Sequence, residues 1–587
     1  MFYPIRAQLI EDYEIRRNTA HFLTAMKKDS EFETHAGIEA VGYSTLQALS
    51  ISLLSIPAVA LAIIVPMMFF GNASGHDFEF HMNSWMEVAR QWHLGILYPR
   101  WAALSHYGYG EARFLFYPPA SWMLGALLGT VLPWTWVPGA YVWIALTAAG
   151  TTMYLLARRY LSSKDAVFAA ALYAANPYHI VIVYWRSAFA ELLASALLPL
   201  LLLVLLQANE RRSKVVVPLS LIVAAAWLTN APSAVMVNYS LALLAVTLAV
   251  VQRAPRILLH SAVAIILGAS LAGYYLVPAA YEERWVNISQ VFAPGVRPQD
   301  NFLFTNINDP DHNRFNLLVS TVAAAGLCLT WAGLGLTRKK RRDLPALWWT
   351  LAIFGGAASL LLFSVTSPFW LLLPKLRFVQ LPWRWLLCLN VVFALVITMS
   401  FQKWWSRFLV AMAMLAVVAF TWHRIQTPWW DTAADVEELR DQLQSGAGYE
   451  GTDEYVPTGA DPYEINQEAG RATLLGGGHS RVHVQEWSPE KRVLSTELSG
   501  PANVVLKLFN YPAWRVEVNG EAVTPQTKEV TGQMIIPLER GKSTVRVTFQ
   551  RTKDRVLGQL LSLAALLTIG FLALVLQRES LPFEVSG

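Results

Sequence analysis

A segment rich in carboxylate and imidazole side chains, residues 75–81, directly follows an apolar run at 51–70. Asp77 and His81 are four positions apart, so they share one face if a helix begins here. A partly desolvated carboxylate at the edge of an apolar run is well suited to accept a proton from an alcohol, which is general-base chemistry. The alternative interpretation is that Asp77 is only the N-cap of the helix. The sequence leaves both interpretations open.

Three charged residues lie at the ends of otherwise apolar runs, where ionisable groups are costly and usually face a cavity or a partner. Arg186 and Glu191 are five positions apart, and Arg384 lies between two tryptophans. A functional site at a cavity is one interpretation of these charges. A structural ion pair between Arg186 and Glu191 is the other.

Aromatic residues flank two arginines in the stretch between 98 and 119. Arg100 lies between Pro99 and Trp101, and Arg113 precedes an aromatic segment that ends in Tyr117 and two prolines. Guanidinium groups fork onto phosphate oxygens and aromatic faces stack on sugar rings, so this pattern suits phosphate and sugar binding. An aromatic belt with arginines that reach the membrane surface is an equally good interpretation.

Further carboxylate and imidazole side chains lie in the stretch 280–315. They are Glu282, Glu283, Asp309, Asp311 and His312. Surface loops often carry such residues without a function, and the spacing around His312 matches no strong metal-ligand pattern. The sequence therefore leaves a requirement for metal open.

Several protein classes are disfavoured because their motifs are absent from the sequence. There is no Walker A loop, which argues against ATP-driven transport, and no GxSxG, HExxH or GxGxxG motif. Cys328 and Cys388 lie inside apolar runs and are expected to be small core residues rather than disulfide or metal ligands. The basic clusters belong to short loops, so no nucleic-acid partner is expected.

The elements that position these residues are predicted to be membrane-spanning helices. Of the 587 residues, 55% are hydrophobic and only 15% are charged, whereas soluble domains are about a quarter charged. Apolar runs long enough for spans across about 30 Å of hydrocarbon occur at 51–70, 139–157, 165–184, 187–207, 215–230, 233–251, 257–279, 316–336, 344–365, 383–401, 408–422 and 556–577. The sequence predicts an α-helical polytopic membrane protein with about 12 to 13 transmembrane helices.

The positions of lysine and arginine predict the orientation of these helices, because cytoplasmic loops retain positive charge. Basic markers are Arg158-Arg159, 210–214, Arg253 with Arg256, 338–342, and Lys403 with Arg407. Both termini are then inside, and 71–118, 280–315, 366–382 and 423–555 are outside. The run 119–133 is too short for this scheme and is predicted to be a half-helix or re-entrant element. Residues 1–50 are predicted to be a polar cytoplasmic segment without a cleavable signal peptide, either amphipathic on the membrane surface or solvated.

The outside segment 423–555 is predicted to be a β-rich domain, followed by a final transmembrane helix and cytoplasmic tail at 556–587. Residues 503–549 alternate between apolar and polar, with turns at Asn519-Gly520 and Arg540-Gly541, which is β-sandwich patterning. The predicted core is Val504, Leu506, Leu508, Trp514, Val516, Val518, Ile535, Ile536, Val545, Val547 and Phe549. So few strands need a second sheet or the membrane body to pack against.

Seven short motifs occur in one order along the chain. They are His76-Asp77 with His81, Tyr98-Pro99-Arg100-Trp101, Phe116-Tyr117-Pro118-Pro119, Arg186 to Glu191, Leu381-Pro382-Trp383-Arg384, Gly448-Tyr449-Glu450-Gly451-Thr452-Asp453-Glu454-Tyr455 and Asn510-Tyr511-Pro512-Ala513-Trp514. The set resembles the GT-C superfamily of membrane glycosyltransferases. More closely, it resembles the bacterial 6-pyruvoyl-tetrahydropterin synthase-related membrane proteins, which neighbour the YfhO-type membrane glycosyltransferases. That family name carries no implication of pterin chemistry.

The resemblance implies transfer of a sugar from a polyprenyl-phosphate donor on the outer face of the bacterial cytoplasmic (inner) membrane. It implies that Asp77 is the general base and that the anomeric configuration is inverted. Residues implied near the donor phosphate and sugar are His76, Glu79, His81, Arg100, Tyr117, Arg186, Glu191 and Arg384. Many such enzymes have an Asp-x-Asp or Glu-x-Asp pair, whereas this chain has Asp77-x-Glu79, so a divalent Mg or Mn ion remains an open question.

The acceptor is expected to be an envelope glycan, lipid or protein. Candidate residues on the acceptor side are Glu282, Tyr449, Glu450, Asp453 and Glu454, because acidic and aromatic side chains suit sugar hydroxyls. A transporter or flippase for a lipid-linked glycan is a different hypothesis, and it requires a continuous polar path through the spans. A non-catalytic scaffold for envelope assembly is a third.

Overall fold

In the computed structural model, residues 54–425, 429–476 and 480–578 are described. The predicted polar segment 1–50 and the part of the predicted tail beyond 578 lie outside the described residues. The described part of the chain forms a helical body and, near its C-terminal end, a β-sandwich. The predicted fold class, α-helical and polytopic with a β-sandwich-like domain, is therefore confirmed.

Seven helices in the described residues are long and apolar enough to cross a membrane. They are Trp134–Arg158, Ser163–Arg186, Phe189–Leu206, Ala231–Val251, Pro310–Asp343, Pro382–Ser400 and Lys553–Leu576. Two bent pairs raise this number to nine if each pair is one span, and the shorter apolar helices are Leu54–Phe70, Pro119–Val131, Ser213–Thr229 and Trp404–Ala416. Each predicted apolar run coincides with one of these elements. Three predicted spans, 51–70, 215–230 and 408–422, correspond to the shorter apolar helices.

The predicted run 257–279 is bent rather than straight. Helix Arg256–Leu271 meets Gly273–Trp285 at an angle of 76°. The backbone N–H of Tyr274 at the bend donates to the hydroxyl of Ser562, at 2.8 Å. A Cβ added at Gly558 would lie 2.5 Å from the Gly273 carbonyl oxygen, so the last helix packs directly against the bend. A hydroxyl from a neighbouring helix thus satisfies a donor that the break releases.

The segment predicted to be a half-helix forms helix Pro119–Val131, which has 13 residues. At 1.5 Å per residue it is about 20 Å long, shorter than the hydrocarbon layer. It packs against helix Phe78–His93, where the Trp85 ring covers Gly125. A Cβ at Gly125 would lie 2.1 Å from that ring, so only glycine permits this contact.

Several loops predicted to be cytoplasmic lie together at one end of the helical body. Arg159 donates to Glu210 at 2.7 Å, and Arg407 donates to Asp165 at 2.6 Å. The contacts join loops that are distant in sequence but share the predicted side of the membrane. The opposite end of the body carries the charged residues considered below.

The β-sandwich consists of two antiparallel sheets in the described residues. Neighbouring strands in the first sheet are Ala472–Gly476, Ala502–Phe509, Gln533–Leu538 and Gln526–Thr527. Neighbouring strands in the second sheet are Arg481–Ser488, Lys491–Leu498, Gly541–Phe549, Trp514–Val518 and Glu521–Val523. Most of the predicted core side chains are buried between the sheets, while Val518 and Ile535 are half-buried. The second sheet supplies the packing partner that the sequence pattern required.

Candidate active site

The N-terminal end of helix Phe78–His93 is fixed to another part of the chain by its backbone. The amide of His76 donates to the Trp185 carbonyl at 3.3 Å, and the amide of Asp77 donates to the Arg186 carbonyl at 2.9 Å. A Cβ at Gly75 would lie 2.4 Å from the carbonyl carbon of Arg186. This close approach requires glycine and places Asp77 directly beside Arg186.

Asp77 occupies the N-cap position of this helix, but its side chain makes no capping hydrogen bond within the described residues. The carboxylate is 42% exposed, and its Oδ2 lies 3.9 Å from Nη2 of Arg186. Asp77 is therefore the N-cap by position but does not cap with its side chain, and the general-base role stays a prediction. An accessible carboxylate beside a cation is available to a reacting hydroxyl.

A buried carboxylate holds the two arginines that the sequence analysis singled out. Oε2 of Glu191 accepts hydrogen bonds from Nη1 of Arg186 and, at 3.0 Å, from Nε of Arg384. Its Oε1 accepts from the hydroxyl of Tyr178 at 2.7 Å. The side chains of Arg186 and Glu191 are at most 4% exposed, and that of Arg384 is 10% exposed. Two guanidiniums and one carboxylate leave one net positive charge close to Asp77.

Irregular backbone positions both guanidinium groups. Residues Ile182–Arg186 form a π-helical turn, and Ser187 then takes a left-handed conformation with φ of 49°. Arg384 lies in the 3₁₀ turn Pro382–Trp385, which follows the positive φ of 62° at Gln380. Such interruptions of regular helices are frequent at functional sites.

Aromatic and imidazole rings surround the charged group. The buried His81 ring lies 5.9 Å from Tyr117 and 5.2 Å from Phe189, and the His76 ring lies 5.1 Å from Phe315. Burial lowers the pKa of His81 to about 4, and the charge of Asp77 only partly opposes this effect. His81 is therefore a neutral ring near pH 7, suited to orient neighbouring groups rather than to bind an anion by charge.

Two candidates from the sequence analysis lie at the β-sandwich instead. Arg100 makes two hydrogen bonds to Glu490, at 3.0 and 2.8 Å, and its guanidinium covers the Phe549 ring. Glu282 is fully buried and accepts two hydrogen bonds from Arg555, both at 2.8 Å. Neither residue is brought to Asp77, so we do not retain Arg100 as a phosphate ligand or Glu282 as an acceptor ligand.

The ion pair of Glu282 and Arg555 predicts a stability effect, because it joins the helical body to the last helix. Replacing Glu282 by Gln leaves the buried Arg555 cation without its counter-charge, and we expect a loss of about 1–3 kcal/mol in the free energy of unfolding. Thermal unfolding of the purified protein measures this effect. Glu283→Gln is the matched control, since Glu283 is partly exposed and pairs with Lys375. Equal melting temperatures for the two variants would contradict the prediction.

The acidic residues before and within helix Pro310–Leu336 have local structural contacts. Asp309 caps the helix by accepting from the amides of Asp311 and His312, at 3.0 and 3.1 Å. Nε2 of His312 lies 3.0 Å from the Asp300 carbonyl oxygen. Among the described residues, no group of three or more His, Cys, Asp or Glu side chains is arranged to hold a metal ion.

A second buried polar network joins the first outer loop to the segment around Tyr449. The hydroxyl of Tyr449 donates to Glu87 at 2.6 Å. Glu111 accepts from Arg113 at 2.5 Å and from the amide of Thr452 at 2.8 Å. Burial opposes ionisation of Glu111, but the neighbouring Arg113 and His106 outweigh it and lower the pKa of Glu111 to about 2. The hydroxyl of Tyr449, a predicted residue of the site for the sugar acceptor, is thus hydrogen-bonded within this network.

The sequence analysis did not single out Glu87 and Glu111. Glu87 lies on the buried face of a helix, and Gln91, one turn later, donates to it at 3.2 Å. The four-residue spacing between Glu87 and Gln91 was the only local sequence pattern that could have indicated this buried carboxylate. Arg113 also stacks over Phe80 at 4.4 Å, and Phe80 contacts Tyr117 at 4.7 Å. The network therefore supports the ring that lies beside the Asp77 site.

The remaining acceptor-side candidates differ in their surroundings. Glu450 is exposed, and Asp453 accepts from the hydroxyl of Tyr463 at 2.8 Å. Glu454 is half-buried next to Tyr455, whose ring stacks on Phe116. Burial raises the pKa of Glu454 to about 7, and the nearby Glu111 and Asp453 add to the rise while Arg113 opposes it. Glu454 therefore titrates close to neutral pH.

The raised pKa of Glu454 predicts a pH dependence of stability. Its ordinary pKa is 4.5, so between about pH 5 and pH 7 the folded chain retains a proton that the unfolded chain releases. The free energy of unfolding is therefore expected to fall as the pH rises through this range. Glu454→Gln should melt at a higher temperature than wild type at about pH 8 but not at about pH 5. The exposed Glu450→Gln serves as the control, and the same pH profile in wild type and Glu454→Gln would exclude this role.

The helices, the buried charges at one end of them and the β-sandwich define the chain as a polytopic α-helical membrane protein with an attached β-domain. Residues 114–429, more than half of the chain, match the family model described as 6-pyruvoyl-tetrahydropterin synthase related domain; membrane protein. The chain belongs to this family. The match covers Arg186, Glu191 and Arg384 but begins after Asp77.

Several solved structures are similar to the chain. Arabinofuranosyltransferase AftD from Mycobacteria, in one mutant form, matches with a TM-score of 0.42 and 17% identity over 63% of this chain and 27% of that chain. ArnT from Cupriavidus metallidurans bound to undecaprenyl phosphate matches with a TM-score of 0.41 and 14% identity over 64% of each chain. The apo Archaeoglobus fulgidus oligosaccharyltransferase matches with a TM-score of 0.39 and 13% identity, over 72% of this chain and 57% of that chain. The chain spans less than two thirds of each of these proteins, and no curated protein matches its sequence.

Proposed function

We propose that this protein is a membrane glycosyltransferase of the GT-C type. It moves a sugar from a polyprenyl-phosphate donor to an envelope acceptor on the outer face of the cytoplasmic membrane. One observation carries the proposal: the accessible carboxylate of Asp77 lies 3.9 Å from Arg186, which shares the buried Glu191 with Arg384. A base and a fixed positive charge side by side are what displacement of a phosphate from a sugar requires.

In the proposed reaction, Asp77 accepts the proton of an acceptor hydroxyl while the hydroxyl oxygen attacks the anomeric carbon of the donor. The bond between the anomeric carbon and the phosphate oxygen breaks, and its electron pair stays on the departing polyprenyl phosphate. Direct displacement inverts the anomeric configuration. Asp77 then releases the proton to water. No nucleotide takes part, because the lipid carries the activated sugar.

Arg186 and Arg384 are proposed to stabilise the charge that develops on the leaving phosphate. Glu191 neutralises one of the two guanidiniums, so the group keeps one positive charge and a fixed geometry. Preorganised charge stabilises a transition state without reorganisation during the reaction. His76, His81 and Tyr117 are proposed to line the sugar side of this site, and the exposed Glu79 is a further candidate there.

The outer-face location is supported by the distribution of charge along the chain. Loops rich in lysine and arginine meet at the end of the helical body opposite Asp77 and are assigned to the cytoplasm. The β-sandwich then lies on the same side as the site, since Ser74 donates to the Trp429 carbonyl at 3.1 Å and Asn72–Ala73 pairs with Trp430–Asp431 at the start of the outer domain. The acceptor is therefore proposed to be an outer-face glycan, lipid or protein.

The proposal is tested with the purified protein in lipid and a panel of radiolabelled polyprenyl-phosphate sugars. We expect one donor to be consumed, with transfer of the sugar to water or to a crude envelope fraction. NMR of the glycoside formed on the envelope acceptor should show an anomeric configuration opposite to that of the donor. Nucleotide sugars are the control and should not be consumed. If none of the lipid-linked donors binds or reacts, a transporter or a scaffold becomes the better explanation. A retained configuration would exclude direct displacement.

A further inference from the structure

A cavity of about 320 Å³ lies where the β-sandwich meets the start of the last membrane helix. Side chains that matter for its chemistry are Tyr281, Trp285, Trp514, Arg551, Lys553 and Asp554. The volume is at the lower end of the range for small-molecule sites, about 300–1,000 Å³, and matches a ligand of monosaccharide size. The cavity is separate from the Asp77 site, and its residues take no part in the proposed reaction.

Two buried polar atoms of the cavity residues lack a hydrogen-bond partner among the described residues. One is the indole Nε1 of Trp514, a donor, in a side chain that is 5% exposed. The other is Oδ2 of Asp554, an acceptor, in a residue that is 8% exposed and whose carboxyl group also interacts with that of Glu282. Buried polar groups in folded proteins are nearly always satisfied. A ligand that both accepts and donates hydrogen bonds would satisfy both atoms.

Aromatic rings form one side of the cavity. Tyr281 is 46% exposed, and its ring packs edge-on against Trp285 at 5.7 Å. Trp285 in turn packs edge-on against Tyr511 at 5.5 Å. The guanidinium of Arg284 lies 3.9 Å from the centre of the Tyr281 ring and holds it in place. Aromatic rings beside hydrogen-bonding groups provide the apolar and polar contacts that a sugar ring requires.

The carboxylate of Asp554 favours a sugar over a phosphate as the ligand of this cavity. A fully ionised phosphate only accepts hydrogen bonds, and a protonated phosphate is still an anion, so Asp554 disfavours a phosphate by charge repulsion. A sugar hydroxyl donates as well as accepts, so one ring with several hydroxyls can bond both to Asp554 and to Trp514. Arg555, the nearest buried cation, is occupied by Glu282. Arg551 and Lys553 are exposed and lie at the rim.

We propose that this cavity binds a pyranose ring of a glycan. Its role as part of the acceptor site rests on the proposed glycosyltransferase function, whereas the binding itself does not. The cavity lies at the start of the last membrane helix, Lys553–Arg578, so a glycan bound there is held at the membrane end of the β-sandwich. The Asn510 to Trp514 motif, which the proposed reaction does not use, thereby gains a role.

The test is saturation-transfer NMR on the full-length protein in detergent micelles. The ligands are free pyranoses (glucose, galactose, mannose, N-acetylglucosamine and glucuronate) and short oligosaccharides of them. We expect one or more to bind, and Trp514→Phe and Asp554→Asn each to weaken binding at least about tenfold, since each removes one hydrogen-bonding group. Trp404→Phe, at a tryptophan that is 78% exposed, is the control and should bind as wild type does. Each variant is first checked to unfold at the wild-type temperature.

A rise in the melting temperature of wild type on addition of the bound pyranose, absent in Asp554→Asn, provides a second measurement. The proposal is overturned if no pyranose binds, if both cavity variants bind as wild type does, or if inorganic phosphate alone binds there. Asp77→Asn separates the two proposals, because it removes the proposed base but should retain pyranose binding. A protein that binds pyranoses yet consumes no lipid-linked donor would refute the proposed reaction and leave the cavity site standing.

Discussion

Replacing Asp77 by Asn should lower the rate of sugar transfer at least about a hundredfold while the donor still binds. The amide keeps the size of the carboxylate but cannot accept the proton of the acceptor hydroxyl. Binding of the lipid-linked donor should change little, because the arginines and the apolar helices remain. Single-turnover measurement with a radiolabelled donor separates the two quantities.

The matched control for this experiment is Glu79→Gln. It makes the same change of charge two residues away, at an exposed side chain in the same helical turn. We expect a smaller loss of rate than in Asp77→Asn, because Glu79 is a candidate for contact with the sugar, whereas proton acceptance is assigned to Asp77 alone. Full activity of Asp77→Asn would refute the general-base role. A larger loss in Glu79→Gln than in Asp77→Asn would transfer that role to Glu79.

Replacing Glu191 by Gln should destabilise the protein more than any other single change considered for this site. The variant removes the buried counter-charge that Arg186 and Arg384 share, and breaking a buried ion pair costs about 3–5 kcal/mol. Donor binding should weaken as well, because the two guanidiniums lose their fixed geometry. Thermal unfolding and a donor-binding assay measure the two effects.

Two further variants make the Glu191 prediction specific. Glu210→Gln removes the carboxylate of an exposed ion pair with Arg159 and should leave the melting temperature unchanged. The double variant Glu191→Gln with Arg384→Gln removes one of the two uncompensated charges and should regain part of the lost stability. A melting temperature for Glu191→Gln equal to that of wild type would show that the buried charges do not depend on this carboxylate.

Sequence predictions succeeded where the contacts that determine the structure lie between residues close together in the chain. The apolar runs were recognisable because each needs only its own composition to form a helix in a membrane. The proximity of Arg186 and Glu191 followed from their spacing. Arg384, however, reaches Glu191 across 193 positions, and no local pattern indicates that contact. The ion pair of Arg100 was not predicted for the same reason, since its partner Glu490 lies 390 positions away.

The β-sandwich shows a second kind of limit. Strand Lys491–Leu498 and its partner Arg481–Ser488 were not predicted, although they complete the second sheet. The register between these two strands shifts between Val484 and Glu486. A bulge of this kind interrupts the alternation of apolar and polar residues, which is the only signal of a strand in sequence. Polar residues on the outer face further weaken the pattern.

The backbone contact between Gly75 and the Arg186–Ser187 peptide fixes more than the position of one side chain. Main-chain hydrogen bonds from His76 and Asp77 to the carbonyls of residues 185 and 186 tie together the two backbone segments that carry the carboxylate and the guanidinium. If the helices move when a substrate binds, these two backbone segments are expected to move together. Residues elsewhere around Asp77 can then change in sequence without altering how these two segments are joined.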